Sequence, residues 1–286
     1  MSVRQIRELV DEALAIEAQK AKDAGVLGYM ARALVQATMP HRQVDDLVFE
    51  RRNGAFSMVM VAHPRIGLPY GTYPRLLLAW LTTEAVRTRS PELLLGPTLA
   101  GFMDQLGLIP AGGRWGTIPA LRDRMKRLFT CSVSCTYEEE TEDAGLSFHV
   151  AKEYRLWWDP KHPDQAALWQ STVTLSKDFF EEIIDRPVPV DMRAMQVLKR
   201  SPMALDIYCW LTYRMSYLKE KTEIPWPVLQ SQFGADYADN PQGSRDFKRA
   251  FLKHLRTVLV VYKGARVEES RRALILKPGQ THVSAR

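Results

Sequence analysis

Two clusters of cations carry the chemistry that this chain concentrates. Across 117–129, Ile118, Leu121, Met125 and Leu128 recur in steps of three, four and three, which leaves Arg122, Arg124, Lys126 and Arg127 on the opposite helical face with Arg114 just ahead. Near the C-terminus, Phe247, Phe251, Leu255 and Val258 form the same kind of stripe and leave Arg245, Lys248, Arg249, Lys253 and Arg256 outward. Lys263, Arg266, Arg271 and Arg272 follow, at or near the tip of an expected β-hairpin. A charge run on a helix is usually a solvated face. Here each run is nearly one-signed, and in the first only Asp123 is available for pairing. Guanidinium and ammonium groups in that pattern neutralise phosphates without making or breaking bonds.

Other chemistries find less support. Cys131 and Cys135, four apart in an expected strand, lack two further metal ligands, and with Cys209 they make an odd number of thiols, the usage of a reducing cytosol. They read as small core residues. His41, His63, His149, His162, His254 and His282 include no His-hydrophobic-His pair for a metal-dependent nicking site, and no GxxxxGK[ST] phosphate loop is present. No catalytic residue, metal or cofactor is therefore expected. The N-terminus lacks a signal-peptide core, and the longest apolar run, 76–81, is about a third of a bilayer span, so no membrane role follows. At 286 residues, 46% apolar and 25% charged, the chain is long enough for two globular domains. Lys and Arg exceed Asp and Glu by 39 to 33, a net +6. Acidic residues dominate 138–191, whereas 241–286 holds eleven Lys and Arg against Asp246, Glu268 and Glu269. The positive charge lies where a polyanion would dock.

The elements that position these cations follow from periodicity. An amphipathic helix is expected over 3–22, with Ile6, Val10, Ala13 and Leu14 on one face, then a helix over 27–38 and a strand over 56–62. Helices follow over 74–89 and 98–106, and Gly112, Gly113 and Gly116 lead to the basic helix, with Thr117 as its N-cap. Next comes a β-hairpin over 130–158 turning at Asp143, Ala144 and Gly145, read as a wing. The Pro-rich segment 159–169 reads as a linker, flanked by Trp157, Trp158 and Trp169. These tryptophans could stack on bases, but anchoring a domain junction is the commoner role.

From 170 the order recurs: a strand at 171–175, helices over 177–184 and 192–199, then 203–218 and 225–233, and finally a basic helix opening at Ser244, with 258–261 entering a second wing. Trp80 pairs with Trp210, Gly107 with Gly234 and Thr117 with Ser244, at offsets of 130, 127 and 127 residues. Offsets so nearly constant point to a tandem duplication. The expected fold is α+β: two tandem winged-helix domains, mainly helical with β-hairpin wings, at 1–158 (with extra N-terminal helices) and 170–286. The second copy offers about nine cations to the first copy's five, so it should bind DNA more tightly. Arg245, Lys248 and Arg249 occupy the first turns of its helix, where recognition helices meet base edges, and Arg249 is the expected reader.

The segments LPYGTYPRLLLAWLTTEAVRT, LLLGPTLAGFMDQLGL, GGRWGTIPALRDRMKRLF and VPVDMRAMQVLKRSPMALDIYCWLTYR resemble plasmid-encoded RepA-type replication initiators of bacteria, a likeness running over roughly 64–276. The resemblance implies a cytoplasmic protein that binds direct repeats (iterons) in double-stranded origin DNA and opens the adjacent A·T-rich tract. It also implies recruitment of the host initiator and replicative helicase, and a homodimer through the N-terminal domain. Residues 1–62 fall outside the strong match. The alternatives are a winged-helix transcriptional repressor, which would show the same basic helices, and a rolling-circle nicking enzyme, which the histidine pattern disfavours.

Overall fold

The computed structural model describes residues 3–167, 170–234 and 236–283. Trp169 and the side chain of Ile6 lie outside them. Helix α1 (Val3–Ala18) leads to a short strand β1 (Leu27–Met30) and helix α2 (Arg32–Gln36). The expected single helix over 27–38 is thus split, because β1 pairs antiparallel with a strand about 160 residues later, a partner that a local window does not see. β2 (Val48–Asn53) and β3 (Phe56–Val61) form a hairpin ahead of α3 (Thr72–Thr88), β4 (Glu92–Leu94), α4 (Leu99–Gln105) and α5 (Thr117–Thr130). β5 (Ser132–Glu139), β6 (Glu142–His149) and β7 (Ala151–Arg155) follow, then β8 (Thr172–Leu175) and α6 (Lys177–Asp185). The remainder is β9 (Val188–Asp191), α7 (Met192–Leu198), α8 (Pro202–Tyr217), β10 (Thr222–Pro225), α9 (Trp226–Phe233), α10 (Pro241–Val261), β11 (Arg266–Glu269) and β12 (Ala273–Lys277).

Two stretches share one topology. α3-β4-α4-α5 is completed by β7 and β8 in a sheet of order β4-β8-β7, and α8-β10-α9-α10 by β11 and β12 in a sheet of order β10-β12-β11. All pairings in both sheets are antiparallel. The recurrence extends to packing: Trp80 of α3 meets Phe102 of α4 edge-on at 5.1 Å, and Trp210 of α8 meets Phe233 of α9 edge-on at 5.5 Å. In each, the long first helix is buried nearly all round, and the third shows its apolar face at the spacing read from sequence.

The hairpin expected as the first wing is differently employed. β5 and β6 turn at Glu140 and Thr141, not at 143–145, and join β3 and β2 in a sheet of order β2-β3-β5-β6. β7 and β8 come next, paired with each other, and β8 also pairs with β4, so the 159–169 segment lies in the loop between two strands of one sheet instead of ending it. That loop folds back on α4, with Ala100 N donating to Pro163 O and Ala167 N to Pro97 O. Trp158 stacks on Phe102 at 5.0 Å, an anchoring role, while Trp157 is half-exposed.

Further elements tie the two stretches together. β1 pairs with β9, and α1 turns Leu9, Ala13 and Ile16 inward and packs on α7 and α10. Past the end of α2, Thr38 Oγ1 donates to Gln232 O of α9, and the Gln36 carbonyl accepts from Gln232 Nε2.

Candidate nucleic-acid interface

The N-terminus of α10 lies three residues earlier than its sequence suggested. Asn240 is the cap, its Oδ1 accepting from Gly243 N at 2.8 Å, and Pro241 fills the first turn where a missing N–H costs nothing. The helix also continues through 258–261, which the sequence assigned to a wing strand. Its 21 residues make it about 30 Å long. Arg245 and Arg249 project from its N-terminal half; Arg245 donates to Gln242 at 2.9 Å, and Arg249, with 81% of its side chain exposed, pairs with Asp246 at 2.7 Å.

Lys248, expected outward, turns elsewhere. Its ammonium lies 4.5 Å from the centre of the Trp226 ring, donates to Ser270 O at 3.0 Å and pairs with Glu269 at 3.2 Å. Its reach is set by the apolar stem, which follows the indole while the charge caps the end of β11. Ser270 starts the β11–β12 turn, so Lys248 and the Trp226 Nε1–H, which also donates to Ser270 O, hold the hairpin tip against α10. Exposed Arg271 and Arg272 sit in that turn. Arg245 and Arg249 thus flank Lys248 on the helix, and exposed Arg271 and Arg272 sit in the turn that Lys248 holds, with Asp246 and Glu269 among them.

The remaining cations of this stretch lie apart. Lys253 and Arg256 are exposed on the C-terminal half of α10, beside α1: Lys253 shares a cleft with Glu8 and Glu12, and Arg256 a shallow groove with Val10 and Leu14. Lys263 pairs with Glu17 of α1 at 2.5 Å, and Arg266 stands opposite Lys277 at the open base of the hairpin. The expectation that Lys263 and Arg266 lie near the hairpin tip is thus corrected, since β11 begins only at Arg266 and runs away from the helix end toward the turn.

In the first stretch, two of the expected contacts are occupied within the chain. The Arg124 guanidinium lies 3.7 Å from the Tyr70 ring centre and pairs with Asp123. Arg127 donates to Asp123 at 2.8 Å and to Leu68 O at 3.4 Å, and also faces Tyr70. Asp123 thus engages both, and the three groups together keep a net charge of +1. Arg122, Lys126 and Arg114 remain exposed. Thr117 is the first helical residue and Gly116 the cap position; the Thr117 hydroxyl instead donates to Ile109 O and accepts from Ala111 N. Sequence reasoning passed over Tyr70 and Trp226, which fix three of the lysines and arginines, and Trp115, whose ring is 89% exposed beside Arg114. The signal for Trp115 was its setting in a glycine-rich loop.

Behind these surfaces a buried ion pair joins α3 to α8. Arg75, wholly enclosed, makes two 2.7 Å hydrogen bonds to the Asp206 carboxylate and directs its other donors to the carbonyls of Met39, Pro40 and Gly71. His41 Nε2 lies 2.8 Å from the same carboxylate. Burial alone would raise the Asp206 carboxyl, but Arg75 and the hydrogen bond from His41 hold it below the usual range. Burial lowers His41 despite that partner, and it lowers His254 and His282 as well.

The cysteines are free and buried; burial pushes the Cys131 and Cys135 thiols up to about 12, far from a reactive thiolate. Among the described residues no group of three His, Cys, Asp or Glu could hold a metal ion, and no helix is long and apolar enough to cross a membrane.

The fold has counterparts among solved structures. Two crystal structures of RctB superpose on most of the chain: one of its domains 2–3, with a TM-score of 0.52, 13% identity and coverage of 86% of this chain and 96% of that one. The other, of selenomethionine derivatives of domain 2 and domain 3, gives 0.54, 12%, 87% and 99%. At that identity the likeness is one of fold alone. No curated protein sequence matches the chain. The model of the family described as plasmid encoded RepA protein matches residues 68–226, more than half the chain and all of α3, α4, α5, α7 and α8. The chain belongs to the family of plasmid-encoded RepA proteins.

Proposed function

We propose that this protein initiates plasmid replication by binding repeated sequences (iterons) in double-stranded origin DNA through two winged-helix units, α3 to β8 and α8 to β12. The observation that carries the reading is the twice-used order of three helices and three strands, whose second copy sets Arg245 and Arg249 of its third helix beside Arg271 and Arg272 of its hairpin turn. Helix and wing on one side suit a major groove and its flanking phosphates. In this reading the β7–β8 loop is the first wing. Binding would favour opening of the adjacent DNA and recruitment of the host initiator and replicative helicase, in the bacterial cytoplasm, with a homodimer through the N-terminal domain.

The test is titration of the full chain against DNA flanking its gene. If roughly six or more phosphates are neutralised, log K should fall with log salt at a slope near −5 or steeper; a slope near zero would defeat the proposal. Protected tandem repeats spaced by about two helical turns fit an initiator, whereas a lone palindrome fits a repressor. The proposal includes no catalysis, so supercoiled plasmid should stay unnicked and ATP unhydrolysed. A covalent protein–DNA adduct would promote the nicking alternative.

A further inference from the structure

The loop between α4 and α5 exposes the two most solvent-accessible large apolar side chains among the described residues, Trp115 at 89% and Ile109 at 83%. Such exposure is not looseness of the chain. The Thr117 hydroxyl bridges Ile109 O, at 2.6 Å, and Ala111 N, at 2.9 Å, while Gly116 N donates to Gly113 O and Ile118 N to Ala111 O. A Cβ on Gly116 would run into the carbonyl oxygens of Ala111 and Gly112, and Gly113 has φ +79°. The loop is therefore a shaped, internally bonded projection at the N-terminus of the basic helix α5. On it the Arg114 guanidinium lies 5.0 Å from the centre of the Trp115 ring.

The second copy is built differently at the corresponding place. Between α9 and α10, Tyr237 turns inward onto Phe247 at 5.6 Å, and Asp236 faces His41 and Arg42. A solvent-facing indole is thus a property of the first copy and not a requirement of the fold.

An exposed indole next to a guanidinium, at the N-terminus of a helix that carries exposed Arg122 and Lys126, matches a flat, weakly polar face attached to a phosphate. We propose that Trp115, assisted by Ile109 and Arg114, stacks on a nucleobase. The inference rests on the DNA-binding function proposed above and adds to it a contact with the face of a base, unlike edge or phosphate contacts. The base has two possible sources: a duplex step opened by a side-chain wedge, or an unpaired strand.

The experiment compares the wild-type full chain with Trp115→Ala and Trp115→Phe at low salt, where non-specific binding suffices. The probes are a mixed-sequence single strand of roughly 30 nucleotides, enough to span several stacking sites, containing 2-aminopurine, and its blunt duplex, read by anisotropy and by 2-aminopurine emission. Trp115→Ala should weaken binding about tenfold and abolish the protein-induced emission change, and Trp115→Phe should restore most of both. Effects on the single strand alone assign the contact to unpaired bases, and effects on the duplex to an opened step. Equal affinity and emission for wild type and Trp115→Ala on both DNAs would overturn the stacking role while leaving DNA binding intact, as would an affinity loss with no emission difference. Failure of the wild type to bind either DNA would overturn both readings. Thermal unfolding of Trp115→Ala, expected unchanged for so exposed a side chain, keeps misfolding from imitating the result.

Discussion

In the second copy Lys248 is drawn down onto Trp226 and Ser270, and its neighbours Arg245, Arg271 and Arg272 stay in solvent, as does Arg249 although it pairs with Asp246. In the first, Asp123 and Tyr70 engage Arg124 and Arg127 and leave Arg122, Lys126 and Arg114. One topology has thus been given two surfaces. A cation used to fasten a loop is no longer free to meet phosphate, so counting basic residues overstates what a helix offers; the partner of each cation has to be known.

The largest expected effect severs what holds the two copies in register. Asp206→Ala leaves Arg75 charged and enclosed, and should lower unfolding free energy by about 3–5 kcal/mol in urea titrations. A loss below about 1 kcal/mol would mean that water enters to solvate Arg75. Next, Arg249→Ala should cost about 1–3 kcal/mol on the cognate repeat and little on scrambled DNA, as loss of a guanine contact would. Lys253→Ala, in the cleft beside Glu8 and Glu12 of α1, should leave affinity for both DNAs nearly unchanged; equal losses on the two DNAs for Arg249→Ala would assign Arg249 to backbone contact.

The division between tethered and free cations gives a sharper test. Arg124→Ala should alter affinity for DNA less than about twofold while lowering stability by about 0.5–2 kcal/mol through the lost Tyr70 contact. Replacing both Arg271 and Arg272 should instead reduce the salt slope by about two with stability unchanged. A reversed pattern would mean that Arg124 leaves Tyr70 when DNA binds.

The smallest effect is on pH. His41, His254 and His282 have depressed values when folded, so the unfolded chain takes up more protons just below the ordinary histidine value of 6.5. Stability from these groups is full above that value and falls as pH drops through it. Asp206 is depressed too, so its contribution persists to lower pH and is lost only as pH falls through the acidic range. Thermal melts should therefore decline from about pH 7 to about pH 5, and His41→Gln should flatten part of that decline.

Much of this was legible because helical periodicity and duplication are local or self-comparing signals: the offsets between Trp80 and Trp210 and between Thr117 and Ser244 matched helices that do share an order. What sequence missed was pairing over distance. β1 reads as helix until β9 is beside it, the β5–β6 hairpin reads as a wing until β3 claims it, and 159–169 reads as a linker because prolines mark a loop without saying which strands it joins. Arg75 stood at the head of an apolar run with nothing to reveal Asp206 opposite. Of the cations, type and spacing were readable, but aromatic anchors such as Tyr70 and Trp226 decided which remained free.

The packing of α1 has a consequence for synthesis of the chain. Leu9, Ala13 and Ile16 are synthesised well before α7 and α10, the helices that cover them, which follow about 180 to 250 residues later. At about 5–20 residues per second the nascent apolar stripe waits roughly ten to fifty seconds for its partners. Throughout that interval it is open to chaperones and to other nascent chains on the same polysome, and its burial waits until α10 has emerged.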